Sequence, residues 1–172
     1  GLIWPGVNRE RTPEMNHTEE LQKNLTETCM FLKDITAVEK EKMEAAMKNN
    51  VLILEECIKK EQALVMRSRG LDQKRQSIQK AMGAEQLTLK QIVEGASAET
   101  KALLLPLYQE MAAALEEYKG VYEGAKTAIE VNLHRINRGL EGLTGKPAEA
   151  DTVYSGHGEK VEKPRTFTSR RV

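Results

Sequence analysis

The chain is 172 residues long and carries 26 Lys and Arg against 26 Asp and Glu, for a formal net charge of zero. That length fits one domain with tails, and the balance leaves no long-range field to steer the protein toward nucleic acid or acidic lipid. With 40% hydrophobic, 30% charged and only 4% aromatic residues, the composition excludes wholesale disorder and a membrane span. It favours long helices over sheets.

The opening Gly1-Leu2-Ile3-Trp4-Pro5-Gly6-Val7 is too short and uncharged for a signal peptide. Residues 1–15 read as a flexible N-terminal extension, because Met15-Asn16-His17-Thr18 is a plausible native beginning. A docked arm using Trp4 is the second reading. From Glu14 to Arg69 there is neither Gly nor Pro. Asn16 or Thr18 can cap a helix, with Glu19 and Glu20 in its favourable first turn. Its apolar stripe runs Leu21, Leu25, Thr28/Cys29, Leu32, Ile35, weakens across Glu39-Lys40-Glu41-Lys42 and recovers at Met43 and Ala46. Lys48-Asn49-Asn50 is the best place for a turn, since one rod through it would run roughly 80 Å at 1.5 Å per residue. A hairpin buries both stripes instead.

The second helix places Leu54, Cys57, Glu61, Leu64, Ser68, Leu71, Arg75, Ile78 and Met82 at strict four-three spacing. Its three polar seam members, Glu61, Ser68 and Arg75, fix register or leave a polar groove. Gly70 costs it about 1 kcal/mol relative to Ala, and Met82-Gly83-Ala84 ends it. A short helix follows over Leu89–Glu94. Thr88 and Gln91 form a capping box, Leu87 and Ile92 fall at the flanking staple positions, and Gly95 closes the turn.

The last helix is the longest, capped by Ser97 and either kinked or restarted at Pro106. Its stripe is Leu104, Tyr108, Met111, Leu115, Tyr118, Tyr122, Ala125, Ile129, Leu133, Ile136, Leu140, Leu143. One four-four step, Ile129 to Leu133, is a stutter that locally unwinds a coiled coil. Gly142, Gly145 and Pro147 stop the helix, and residues 146–172 read as a flexible tail of Pro, Gly, Ser, Thr and Lys. The expected architecture is all-α: an antiparallel three-helix, coiled-coil-like bundle over residues 16–145 with a short connecting helix.

Catalytic patterns are missing. His17, His134 and His157 have no partner at metal-ligand spacing, and Gly145-Lys146 lacks the upstream Gly and the following Ser/Thr of a phosphate loop. Neither G-x-S-x-G nor G-x-G-x-x-G occurs. Cys29 and Cys57 read as free thiols of a reducing cytosol. No enzyme, metal or cofactor is expected. What remains is apolar helix surface. At about 70 Å the last helix is longer than the roughly 45 Å of each of the other two. Ile129, Leu133, Ile136, Leu140 and Leu143 should therefore overhang and need another partner, a client helix or a second copy of the chain.

Several segments resemble a known family. Leu71-Asp72-Gln73-Lys74-Arg75, continuing to Ala81-Met82-Gly83, is similar to the "L-E-x-x-R … L-G" end of the second helix in FlgN-type flagellar export chaperones. Leu87 to Ile92 resembles that family's short connecting element. Ala128 to Leu133 with Ile136-Asn137 resembles its "L-I-x-x-S-L-x-x-I-N" final helix, and Thr152-Val153-Tyr154 with Gly158 its "T-Y-x-x-x-G" tail run. Ala125 stands where the family often has Asn, and Asp72 where Glu is commoner. The resemblance implies a cytoplasmic bacterial chaperone for flagellar type III export. Its clients would be hook-associated (hook–filament junction) proteins, bound by their C-terminal helical segments. It implies a client-binding stretch from Val121 through Ala125, Ile129, Leu133, Ile136 and Leu140 to Leu143, and docking to export-apparatus components. The expected state is a monomer or weak homodimer, without nucleic acid or membrane insertion. The alternative is a self-associating structural coiled coil or adaptor.

Overall fold

The computed structural model describes residues 13–144, with side chains described over 17–139 and 141–143. The expected extension up to residue 12, the tail from 146 and the Thr152–Gly158 motif lie outside the described residues. Five helices follow in order: α1 Pro13–Met47, α2 Val51–Ala81, α3 Leu89–Gly95, α4 Ala98–Val131 and α5 Leu133–Thr144. The chain is all-α, a bundle of long helices, and the described residues contain no strand.

Local chemistry sets each boundary. α1 begins at Pro13, ahead of the expected caps at Asn16 and Thr18. Proline suits a first helical turn, where its missing N–H would be unpaired anyway. Thr18 is instead a buried residue inside the helix. The end of α1 carries two overlapping bonds, Asn50 N–H to Ala45 O at 2.8 Å and Asn49 N–H to Ala46 O at 3.2 Å, with Asn49 at φ 53°. This is the Schellman arrangement, with Asn in the left-handed position glycine usually takes. Asn50 also starts α2: its Oδ1 accepts the Ile53 N–H at 3.3 Å and its carbonyl accepts the Leu54 N–H at 3.0 Å. The hairpin turn at 48–50 thus lies where the sequence placed it.

α2 ends in the same way. Gly83, at φ 74°, donates to Lys80 O at 3.0 Å, and Ala84 donates to Gln79 O at 2.8 Å. The capping box of α3 is present, with Gln91 N–H to Thr88 Oγ1 at 3.1 Å and Thr88 N–H to Gln91 Oε1 at 2.9 Å. Ser97 caps α4 through Thr100 N–H at 3.2 Å.

Two expectations for the last helix are corrected. α4 does not restart at Pro106, which lies inside the helix, and the last stretch is two helices, not one. Pro106 and Ala102 are both exposed, so water can reach the Ala102 carbonyl that the missing N–H leaves free. The interruption falls instead at Asn132, inside the four-four step from Ile129 to Leu133.

The chain divides into two compact units: unit 1 gathers residues up to Leu32 with Arg67–Leu115, and unit 2 gathers Lys33–Met66 with the chain from Glu116. In unit 1, Leu21, Leu25, Phe31, Leu32, Leu89, Ile92, Val93 and Leu104 are buried to 2% exposure or less. Arg67 lies over the Phe31 ring, 6.0 Å from its centroid. In unit 2 the core is smaller-grained: Ala45, Ala46, Val51, Leu54, Ile129 and Ile136 cluster, with Ile53, Ile58 and Ala128 packed against them.

Candidate client-binding helix and buried polar clusters

Every described residue proposed from the sequence for client binding lies in unit 2, on the second half of α4 or on α5. The structure treats them unequally. Ala125 and Ile136 are fully buried and Ile129 is nearly so. Ile129 and Ile136 close against Ala45, Ala46, Val51 and Leu54 of the chain's own first two helices. The expected overhang therefore does not hold at these two positions. Gly139 is the reason at the far side. A Cβ there would stand 2.4 Å from Val51 Cγ2, so opposite a valine at 51 glycine is what lets α5 lie this close to the start of α2. Val121 and Leu133 are half-buried, and Leu143 is 51% exposed. The Leu140 side chain lies outside those described.

The sequence reading did not single out the buried charge cluster of unit 2. Glu39 is fully buried, and Lys42 is nearly so. Lys42 Nζ lies 2.6 Å from Glu61 Oε2 of α2 and 3.3 Å from Glu39 Oε2. Burial pushes the Glu39 carboxyl up to about 9; the neighbouring Glu61 adds to this and Lys42 opposes it. Burial works against the Lys42 charge too, but Glu61 and Glu39 outweigh it and hold the ammonium above its ordinary value. Glu61 is held below the usual carboxylate range despite its burial, by its contacts with Glu39 and Lys42. At neutral pH the cluster is a protonated Glu39 beside one ion pair, which avoids a second buried anion. The Tyr118 hydroxyl, raised by burial and by both carboxylates, stays neutral. Nothing here combines a nucleophile, an activating base and an open cleft.

The signal was present in the sequence. Leu32, Ile35, Glu39, Lys42 and Ala46 step by three and four without a break, and all are buried. The stripe does not weaken across this stretch; it turns polar, opposite the polar seam residue Glu61.

Unit 1 explains a second polar seam position. Arg75 is buried and donates to Gln79 Oε1 at 2.6 Å and to Asp72 Oδ1 at 2.7 Å. Gln79 in turn donates to Leu87 O at 2.9 Å and Ala84 O at 3.3 Å. The Leu71–Arg75 motif thus ties the end of α2 to the loop before α3. Asn24 Nδ2 reaches Leu71 O at 3.0 Å from the α1 side.

Among the described residues no group of His, Cys, Asp and Glu could hold a metal ion, and no helix is long and apolar enough to cross a membrane. Cys29 and Cys57 are both buried, and neither is joined in a disulfide.

Long helices, a capped connecting turn and an amphipathic final segment define a helical bundle protein. Residues 15–162 match the family model described as FlgN protein. The chain belongs to the FlgN family, chaperones of flagellar export. No curated protein and no solved structure matches it.

Proposed function

We propose that this chain is a cytosolic, substrate-specific chaperone. It binds hook-associated proteins by their C-terminal helical segments before flagellar type III secretion, then meets components of the export apparatus. The family match supports the export role. The observation that carries the site is the stripe on the chain's last helices, which runs from buried Ala125, Ile129 and Ile136 to half-buried Leu133 and exposed Leu143. A stripe open at its end can accept an apolar client helix by short-range matching, which suits a protein with no net charge to attract a partner from afar.

The test uses positions that the core does not need. Leu133→Asp with Leu143→Asp should weaken binding of a hook-associated protein's C-terminal segment at least tenfold by calorimetry, while circular dichroism retains the wild-type helicity. Unchanged affinity rejects the site. A mass that rises with concentration in light scattering, without any client, favours the self-associating coiled coil instead.

A further inference from the structure

The buried position of Ile136 raises a question about the site just proposed: how does a residue inside the core meet a client? The chain answers it at Asn132, where α4 becomes α5. The backbone N–H of Asn132 reaches Ala128 O at 3.2 Å, and its side-chain Nδ2 reaches the same oxygen at 2.9 Å. One carbonyl thus serves two donors, and the side chain competes with helix pairing as short polar side chains do. Beyond this point two described residues of α5 meet the rest of unit 2 closely. Ile136 inserts among Ala45, Ala46, Val51 and Leu54, and Gly139 rests on Val51. Leu133 and Leu143 on either side are incompletely covered. Asn137 Oδ1 is buried with no hydrogen-bond partner, an unmet acceptor that water would satisfy if α5 moved away.

We propose that α5 is a latch hinged at Asn132, closed on unit 2 through Ile136 and Gly139, and opened to present Leu133, Ile136 and Leu143 to the client helix. The proposal rests on the chaperone reading and adds the step that frees its buried residue. Opening exposes Ile136 and Val51 but hydrates Asn137. A client that covers the apolar stripe shifts the population toward the open form by its preference for that form.

Two measurements test the latch. In the first, Val51 and Gly139 are both replaced by cysteine. Their Cβ atoms would lie 3.5 Å apart, at the short end of the disulfide range of about 3.5–4.5 Å. Oxidised glutathione closes the bridge and dithiothreitol reopens it. The probe is a synthetic peptide copying the C-terminal helix of a hook-associated protein from the same bacterium. The bridged form should bind it at least tenfold more weakly than the reduced form, and equal affinities overturn the latch.

The second measurement needs no client. Amides of residues 136–139 in the intact protein should exchange with deuterium at least tenfold faster than those of residues 121–128. Asn132→Leu, which restores an uninterrupted helical side chain, should slow that exchange at least fivefold. An end that only frays would not respond to Asn132→Leu, and that result overturns the hinge. A peptide that binds neither redox form nor the wild type rejects the chaperone site, while the exchange data still judge the hinge.

Discussion

Unit 1 and unit 2 are built from segments of the same long helices and bury different materials. Unit 1 fills its interior with Leu21, Leu25, Phe31, Leu32 and Leu104 plus three apolar side chains of α3; of its buried polar groups, Arg75 donates to Gln79 and Asp72 within α2, Asn24 to the Leu71 carbonyl, and Gln79 to the loop before α3. Unit 2 buries Ala45, Ala46 and Ala125 among its core positions and takes Met43 against Gly124, whose added Cβ would stand 3.1 Å from the sulfur. At its centre are two carboxyl groups and one ammonium. Large aliphatic side chains bury more apolar area per position, so unit 1 holds more of the stability. Unit 2 carries the charge cluster, the break at Asn132 and every described residue proposed for client contact. The less stable end of a protein is where moving and binding elements belong.

The sharpest way to break this contrast is Lys42→Met, which removes the cation paired with half-buried Glu61 beside the buried Glu39. It should cost about 3–5 kcal/mol in urea unfolding. The combined replacement Glu39→Leu, Lys42→Met and Glu61→Leu should instead match or exceed wild-type stability. If it fell well below wild type, the cluster would be a net stabiliser and the contrast would be wrong. Leu25→Ala in unit 1 comes next, at about 2–5 kcal/mol from lost burial and the cavity left behind. Its loss should exceed that of Ala125→Gly in unit 2, measured in the same denaturant series.

The pH response isolates unit 2 further. Glu39 titrates near 9 in the fold against an ordinary carboxyl value of 4.5, so the folded state keeps a proton that the unfolded chain releases. Stability from this group is complete below the ordinary value and declines as pH rises toward 9. Glu61, shifted down, loses its contribution only in acid, and Lys42, shifted up, only in strong alkali. The melting temperature should therefore fall between pH 5.5 and 8.5, and Glu39→Gln should flatten that slope. The smallest effect is Thr88→Ala, about 1 kcal/mol from loss of the α3 cap, with no change in the slope with pH.

Much of the fold was legible because caps and heptads are local. Asn49 and Asn50, Thr88 with Gln91, and Ser97 each act within a few residues, and all nine seam positions of α2 are buried or half-buried. Glu39 and Lys42 escaped because hydrophobicity was followed where register was the better guide. Counting by threes and fours continues through them to Ala46. The stutter at Ile129 to Leu133 located the strain, but not that Asn132 would release it as a break. Coverage of Ile136 was illegible because the length comparison treated the last helix as one rod. It needed the close approach at Gly139, a fact of tertiary structure with no sequence period.

The turn at Asn49 and Asn50 also bears on the order of assembly. Across the hairpin, partners lie 19 residues apart at Lys42–Glu61 and 47 apart at Asn24–Leu71. Closing a loop costs more as it lengthens. By loop length, pairing is easiest beside the turn, where Ala45 and Ala46 meet Val51 and Leu54, then at Lys42–Glu61, then at Asn24–Leu71. A hairpin slipped in register would leave Lys42 or Glu61 without its partner, so the ion pair penalises the wrong register more sharply than apolar contacts do.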